Sequence, residues 1–315
     1  MTAAVALGER GRGRTAPNPS VGCILVKEGR VVGRGWTQPG GRPHAEQMAL
    51  AEAGDSARGA AVYVTLEPCA HDSERGPACA DGLAAAGIAR LVVAVRDPDP
   101  RTDGRGTERL RAAGVLVETG AGAEEAERSL AGFLTRHRLG RPFVTLKLAM
   151  SIDGKIASAS GESRWITGEE ARAHAHLERA RCDMILVGRG TYDSDRPRLD
   201  VRLEGLEDRS PARAMLTRGE APQGWLGLSR AEAVFELGEV NDLLVEGGAE
   251  TAAAFLAADL VDRLLVYRAP ILIGAGTAAL GDIGLAALAD AHGRWRLHDR
   301  RQLGKDSLEV YERPR

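Results

Sequence analysis

The chain has little that would tie it to a nucleic acid, a membrane or an oxidising compartment. Its formal net charge is only −2, with 42 Lys and Arg against 44 Asp and Glu, so no basic field attracts a phosphate backbone or an anionic lipid surface. No apolar run approaches the length needed to span a bilayer. The short apolar run around Val5 is too brief for a signal-peptide core, and arginines follow it where they should precede it. Four cysteines in 315 residues do not make a disulfide framework, and the cytoplasm is the expected compartment. Aromatic residues are also scarce, at 4%, which says little about function. Against these absences, 43% hydrophobic and 27% charged residues are ordinary for a globular protein. A length of 315 residues exceeds an ordinary single core and predicts two domains.

One constellation stands out. His44-Ala45-Glu46 is followed by Pro68-Cys69 and then Cys79. An imidazole and two thiolates with a fourth position left open make a catalytic rather than a closed structural zinc site. A glutamate two residues after the histidine can move protons while staying off the metal. H-x-E, then P-C and a further Cys, is the pattern of zinc deaminases. Singly, His44 could cap a helix, Glu46 could be a solvated charge, and the cysteines could be small core residues. Together and in this order they assign His44, Cys69 and Cys79 as zinc ligands and Glu46 as the proton carrier. Cys23 and Cys182 read as buried core residues.

The periodicities place this set on a scaffold. Residues 1–14 predict a short helix, 21–26 and 30–36 a hairpin turning at Glu28-Gly29, and 38–43 a loop delivering His44 to a helix start. Residues 60–66 read as a buried strand, Cys79 as the head of a second helix, and 91–95 as the next strand. A helix is expected from about 104, and one unbroken helix over 123–138. The ligands would thus lie at helix N-termini, which favour thiolate. Asn18, between two prolines, either hydrogen-bonds a substrate or simply forms the turn.

The runs T-A-P-N-P-S-V-G-C, G-R-P-H-A-E and Y-V-T-L-E-P-C-A-H resemble the deaminase half of the bifunctional riboflavin-biosynthesis deaminase/reductases. The long insert between Cys69 and Cys79 fits that family better than the P-C-x-x-C of general cytidine deaminases. It reads A-H-D-S-E-R-G-P-A, one residue longer than the family loop and with its basic and hydroxyl residues rearranged. His71 within it is either a substrate contact or a loop residue.

Gly140 and Pro142 mark a boundary, giving domains over 1–140 and 141–315. Beyond it, strands are expected at 143–148, 183–187, 243–246, 264–268 and 307–312, the last closing the sheet. Thr167 and Glu170 suggest a capping box for a helix to about 181. Strands ending at Gly188 and at Gly247-Gly248 suit close approach of a dinucleotide, or are merely turns, since the spacing is not G-x-G-x-x-G. K-L-A-M-S-I-D-G-K-I-A, S-G-E-S-R-W-I-T and V-E-G-G resemble the reductase half of the same family.

The resemblance implies an α/β protein. A cytidine-deaminase-like three-layer α/β/α domain would precede a dihydrofolate-reductase-like α/β domain. It implies Zn2+ and NADPH, a phosphorylated pyrimidine substrate, and a homo-oligomer, dimer or tetramer. Substrate contacts would fall at Ser163, Arg179, Leu199, Arg202 and Glu246. Cofactor contacts would fall at Ala149, Trp165, Thr191, Asp195, Gly247 and Gly248. Arg179 and Arg202 suit a ribose phosphate. Lys147 and Asp195 are candidates for polarising or protonating the sugar. The chain also departs from the pattern. It is several tens of residues shorter between about 213 and 243, Thr217 stands near a usual Asp, Arg196 replaces an Asp, and Ile271 replaces a Lys. These departures leave a second reading open: a deaminase with an inactive reductase-like domain in a specialised flavin- or pyrimidine-derived pathway.

Overall fold

The computed structural model describes residues 1–72 and 76–315. Ser73, Glu74 and Arg75, the middle of the rearranged insert, lie outside the described residues. The chain divides into two compact units, Met1–Gly140 and Arg141–Arg315.

The first unit is built on a five-stranded sheet ordered β2-β1-β3-β4-β5. Its strands are β1 (Gly22–Lys27), β2 (Arg30–Trp36), β3 (Ala61–Leu66), β4 (Arg90–Val95) and β5 (Leu116–Thr119). β1 pairs antiparallel with β2 and β3, and the remaining pairs are parallel. The helices are α1 (Thr2–Gly8), α2 (Ala45–Ala53), α3 (Cys79–Ala85), α4 (Arg105–Ala112), α5 (Ala123–Ser129) and α6 (Ala131–Leu139). Glycines set how closely they lie. Gly35 pairs with Cys23, one step from Gly22, so Gly22 and Gly35 look out on opposite faces. A Cβ on Gly22 would stand 1.8 Å from the Ala4 carbonyl oxygen, and one on Gly35 would stand 2.0 Å from that of Ala45. α1 therefore lies on one face and α2 on the other, giving the expected three layers. The single helix expected over 123–138 is instead broken at Leu130, which is buried and leaves helical geometry with ψ near 7°.

The second unit carries an eight-stranded sheet ordered β10-β9-β8-β11-β6-β12-β15-β14. Its first elements are β6 (Phe143–Ser151), β7 (Lys155–Ala157), α7 (Glu169–Arg179), β8 (Met184–Gly188), α8 (Arg189–Asp195), β9 (Ala212–Leu216) and β10 (Leu226–Leu228). They are followed by β11 (Asp242–Val245), α9 (Ala249–Ala257), β12 (Arg263–Ala269), β13 (Thr277–Ala278), β14 (Arg296–Leu303) and β15 (Asp306–Glu312). From β10 to β12 all pairs are parallel, while β15 and β14 add antiparallel. β7 and β13 form a separate two-stranded ribbon. Residues 307–312 thus do not close the sheet, because β14 lies outside them. The capping box at Thr167 does not form either: Gly168 is the N-cap, and its amide donates to Asp306 Oδ2 at 2.6 Å.

The sheet separates two cores. Val144, Leu146 and Leu148 pack with Val245, Ala252 and Phe255 on the α9 side. Leu265, Tyr267, Leu308 and Val310 pack with Ala171 and Ala175 of α7 on the other. Alternation along β6 therefore turns Lys147 and Ala149 toward α7. The buried pair Arg141–Asp262, at 2.6 and 2.8 Å, ties the start of the unit to the entry of β12.

Candidate active sites

In the first unit His44 is the N-cap of α2, and its amide donates to Gln47 Oε1 at 3.0 Å. The loop before it is held by Asn18, whose Nδ2 donates to the Gly41 carbonyl at 2.8 Å. Cys69 follows β3, and Cys79 opens α3 with its amide donating to Cys69 Sγ at 3.2 Å. The His44 Nδ1 atom lies 3.6 Å from Cys69 Sγ and 3.3 Å from Cys79 Sγ. With Zn–S near 2.3 Å and Zn–N near 2.0 Å, a tetrahedral ion sets such edges at about 3.5 Å. Among the described residues this trio is the one grouping of three His, Cys, Asp or Glu side chains that could hold a metal. The donors fit zinc in both type and spacing.

The electrostatics match that assignment. A hydrogen bond from Cys79 pulls the Cys69 thiol down to about 4, and the shared proton together with burial pushes Cys79 up. Glu46 is 3% exposed, and burial raises its carboxyl to about 7 against the opposing pull of His44. Cys23 and Cys182 are buried, and burial raises both thiols.

Sequence reasoning missed what holds Cys69 in place. The buried Glu67 carboxylate accepts amides of Gly104 and Thr107, each at 3.0 Å, and of Asp97 at 3.4 Å. It thereby pins the D-P-D-P loop and the head of α4 against the end of β3. A Cβ on Gly106 would stand 2.0 Å from the Pro68 carbonyl oxygen, so α4 touches the backbone next to the ligand. The signal available was a glutamate at the end of an apolar strand, with a run of turn residues thirty positions on.

In the second unit a cavity of about 650 Å3 opens at the carboxyl ends of β6, β8 and β11, under α7. Its lining includes Lys147, Ala149, Ser163, Trp165, Arg179, Thr191, Asp195, Leu199, Arg202, Glu246, Gly247 and Gly248. The structure thus brings every expected reductase-half residue to one place. Arg179 donates from Nε and Nη2 to the two oxygens of Glu246 at 2.7 and 2.9 Å, and from Nη1 to the Asp200 carbonyl at 3.1 Å. Lys147 Nζ stands 3.7 Å from Glu246. Burial opposes ionisation of Glu246, but Arg179 and Lys147 overcome it and hold the carboxyl at about 2. Arg202, half exposed, has its backbone amide on His176 Nδ1 at 3.2 Å. Burial and the two neighbouring arginines lower His176, which was not anticipated and which keeps that acceptor neutral. The Gly248 amide donates to Thr191 Oγ1 at 3.1 Å, joining α8 to the head of α9. Of the departures, Arg196 lines this cavity, in a left-handed backbone that Asp adopts more readily. Thr217 lies in a neighbouring cleft, and Ile271 lines neither.

A zinc-ligand trio with a buried carboxylate, followed by a parallel-sheet unit with a cationic cavity, defines a two-domain deaminase/reductase. The family model for the cytidine and deoxycytidylate deaminase zinc-binding region matches residues 1–95, and that for the RibD C-terminal domain matches residues 142–308. The riboflavin biosynthesis protein RibD of Escherichia coli is 38% identical, with 97% of this chain and 96% of that protein covered. The protein of the same name from Haemophilus influenzae is 39% identical, covering 99% and 96%. Acinetobacter baumannii RibD superposes with a TM-score of 0.87 at 35% identity, covering 100% and 98%. A Thermotoga maritima structure described as a diaminohydroxyphosphoribosylaminopyrimidine deaminase/5-amino-6-(5-phosphoribosylamino)uracil reductase superposes at 0.91 and 31% identity, covering 100% and 97%. The chain belongs to the RibD family of riboflavin-biosynthesis enzymes. Full-length matches through both halves support the bifunctional reading and not a deaminase with an inactive second domain. No helix of the described residues is long and apolar enough to cross a membrane.

Proposed function

We propose that the first unit deaminates 2,5-diamino-6-ribosylamino-4(3H)-pyrimidinone 5′-phosphate at its 2-amino group. The second unit then reduces the ribosyl chain of the product to ribityl with NADPH. The observation that carries this reading is the presence, in one chain, of the His44–Cys69–Cys79 trio beside Glu46 and of a cavity lined by every expected reductase-half residue.

Zinc held by His44, Cys69 and Cys79 supplies Lewis acidity for hydrolysis at an amidine-like ring carbon. Glu46, buried and held near 7, takes a proton from the hydrolytic water and delivers it to the departing amine, because a carboxyl poised at neutral pH serves in both directions. Glu67 and Gly106 act behind the ligands, fixing the Pro68-Cys69 backbone. Asn18 donates its amide N–H to the Gly41 carbonyl, in the loop that delivers His44, and meets the substrate from there. His71 has its Nδ1 3.5 Å from Thr102 Oγ1, in the segment between the D-P-D-P loop and α4.

NADPH supplies the hydride for the second reaction. Gly247 and Gly248 let that cofactor approach the backbone, with Thr191 fixing the Gly248 amide, while Ala149 and Trp165 flank the cavity. Ser163, Leu199 and Arg202 take the substrate, Arg202 meeting the phosphate. Arg179, held by Glu246 and by the Asp200 carbonyl, sets the position of that carboxylate and of Lys147. Lys147 and Asp195 polarise or protonate the opening sugar.

A cytoplasmic location and a homo-oligomer, dimer or tetramer, complete the reading. Leu272 and Leu288, 75% and 76% exposed in the second unit, support a covered face. Zinc-loaded protein given the diaminopyrimidinone phosphate should release ammonia, and with NADPH present should also consume it. Ammonia release without NADPH oxidation would overturn the reductase half, and silence in both channels would overturn the substrate.

A further inference from the structure

Between the substrate residues Leu199 and Arg202 stands an aspartate with no part in the chemistry described so far. Arg198, Leu199 and Arg202 line the reductase cavity, and Asp200 between them does not. Both of its carboxylate oxygens nevertheless face lining arginines. Oδ2 lies 2.7 Å from Arg198 Nη2, and Oδ1 accepts from Arg202 Nη1 at 3.0 Å. We infer that Asp200 is a positioning residue for the reduction, holding Arg198 beside Arg202 so that both arginines grip the substrate's phosphate. The inference rests on the reading of the second unit as a reductase of a phosphorylated substrate.

The backbone shows which partner is fixed. Leu199 is left-handed, with φ at 56°, a conformation disfavoured for a residue with a Cβ. Its side chain, 3% exposed, packs with Cys182, Ile185 and Val187 and holds the turn. Hydrogen bonds at the next three residues then pin the chain. The Asp200 carbonyl accepts from Arg179 Nη1 at 3.1 Å, the Val201 amide donates to Ser210 Oγ at 3.0 Å, and the Arg202 amide donates to His176 Nδ1 at 3.2 Å. Strained backbone over-determined by its surroundings is characteristic of ligand clamps. The Asp200 side chain is 21% exposed, whereas those of Arg198 and Arg202 are 76% and 50% exposed. An exposed arginine without an anchor samples many rotamers, and ordering it on binding costs affinity. Asp200 supplies that anchor in advance.

The geometry suits a phosphate. The two nitrogens paired with Asp200 stand no further apart than about 8 Å, the widest span that one phosphate bridges with a charge-assisted bond on each side. Each guanidinium carries several N–H donors in a fork, so the one turned to Asp200 leaves others for the ligand. Two cations against one carboxylate leave the group positive. Arg179 cannot take this part, because its donors are committed to Glu246 and to the Asp200 carbonyl. Ion pairs as exposed as these add little to the stability of a fold, so what the arrangement contributes is orientation.

Steady-state NADPH oxidation by the full chain, supplied with the deaminated intermediate, tests this. Asp200→Asn keeps the size and the backbone contacts. It should raise the KM for the intermediate about five- to tenfold, with kcat and the KM for NADPH changed less than about twofold. Competitive inhibition by inorganic phosphate should weaken in parallel. Arg198→Ala, at a largely exposed side chain, should raise the same KM by a similar factor, but by less than about twofold once Asp200→Asn is already present. Loss of a negative charge would by itself favour an anion, so a rise in KM reports lost ordering. A KM that stays level or falls in Asp200→Asn overturns the inference, and so does unchanged inhibition by phosphate. Losses in the two variants that multiply, or equal losses in kcat and in the KM for NADPH, also overturn it. Wild type that oxidises no NADPH with the intermediate overturns the reductase reading itself, and this inference with it.

Discussion

Glu246→Gln tests how the reductase cavity is held together. Glu246 is 9% exposed, between Arg179 at 14% and Lys147 at 21%. Its carboxyl moves from an ordinary 4.5 to about 2, which corresponds to roughly 3 kcal/mol of stabilisation. The sign follows from proton binding. Between about pH 2 and 4.5 the unfolded chain binds a proton that the folded chain does not, so the contribution is complete above about pH 4.5 and disappears as pH falls toward 2. By pH 3 less than half of it should remain. Glutamine keeps the volume, removes the charge and leaves two cations buried against it, a change that typically costs about 3–5 kcal/mol. At pH 7 the second unit should therefore melt roughly 6–20 °C lower than wild type. Three of the four tryptophans, Trp165, Trp225 and Trp295, belong to this unit, so fluorescence in a Trp36→Phe background reports its unfolding. The gap between wild type and variant should close as pH is lowered from 5 to 3. A gap at pH 3 as large as that at pH 7 would refute the electrostatic account, and a gap below about 1 kcal/mol at pH 7 would refute the coupling.

The remaining predictions concern the zinc unit. Glu46→Gln should keep its zinc by elemental analysis yet lose about 10²–10⁴-fold in ammonia release. Supplied directly with the deaminated intermediate, it should still oxidise NADPH at the wild-type rate. Deamination surviving in that variant would remove Glu46 from the chemistry. Gly106→Ala places a methyl group 2.0 Å from the Pro68 carbonyl oxygen, so Pro68-Cys69 must shift. Competition with a chromophoric chelator should show zinc leaving at least about tenfold more readily, and unchanged retention would mean that α4 does not position Cys69. Glu67→Ala should weaken zinc as well, and it should destabilise the first unit by about 1–3 kcal/mol for each amide left without an acceptor. Removing zinc with a chelator should lower the melting temperature of the first unit and leave NADP+ affinity unchanged.

The parts of this molecule that could be read in advance are those in which a residue type is demanded by its immediate neighbours. Zinc needs the donors of His44, Cys69 and Cys79, and Glu46 follows His44 on the same helical turn, so the motif survives as a short string. Strands such as β3, β4 and β8 are buried along most of their length and appear as continuous apolar runs. β14 shows the opposite case. Its sequence R-L-H-D-R-R-Q-L is exposed almost throughout and has no alternation to read, because pairing with β15 on one side is what makes it a strand. β5 was likewise invisible, three of its four residues being exposed. The start of α7 failed for a related reason. Thr167 and Glu170 offered a local cap, but Asp306, 138 positions from Gly168, takes the amide instead, and a partner so distant leaves no trace in the neighbouring sequence. The functional residues divide along the same line. Those that touch metal or cofactor sit in short runs. Those that hold them, Glu67 beneath Cys69 and His176 beneath Arg202, are single residues whose significance appears only when the strand ends and helix heads are brought together. Substitutions at these supporting positions should therefore shift zinc retention and substrate affinity while leaving every recognisable motif intact.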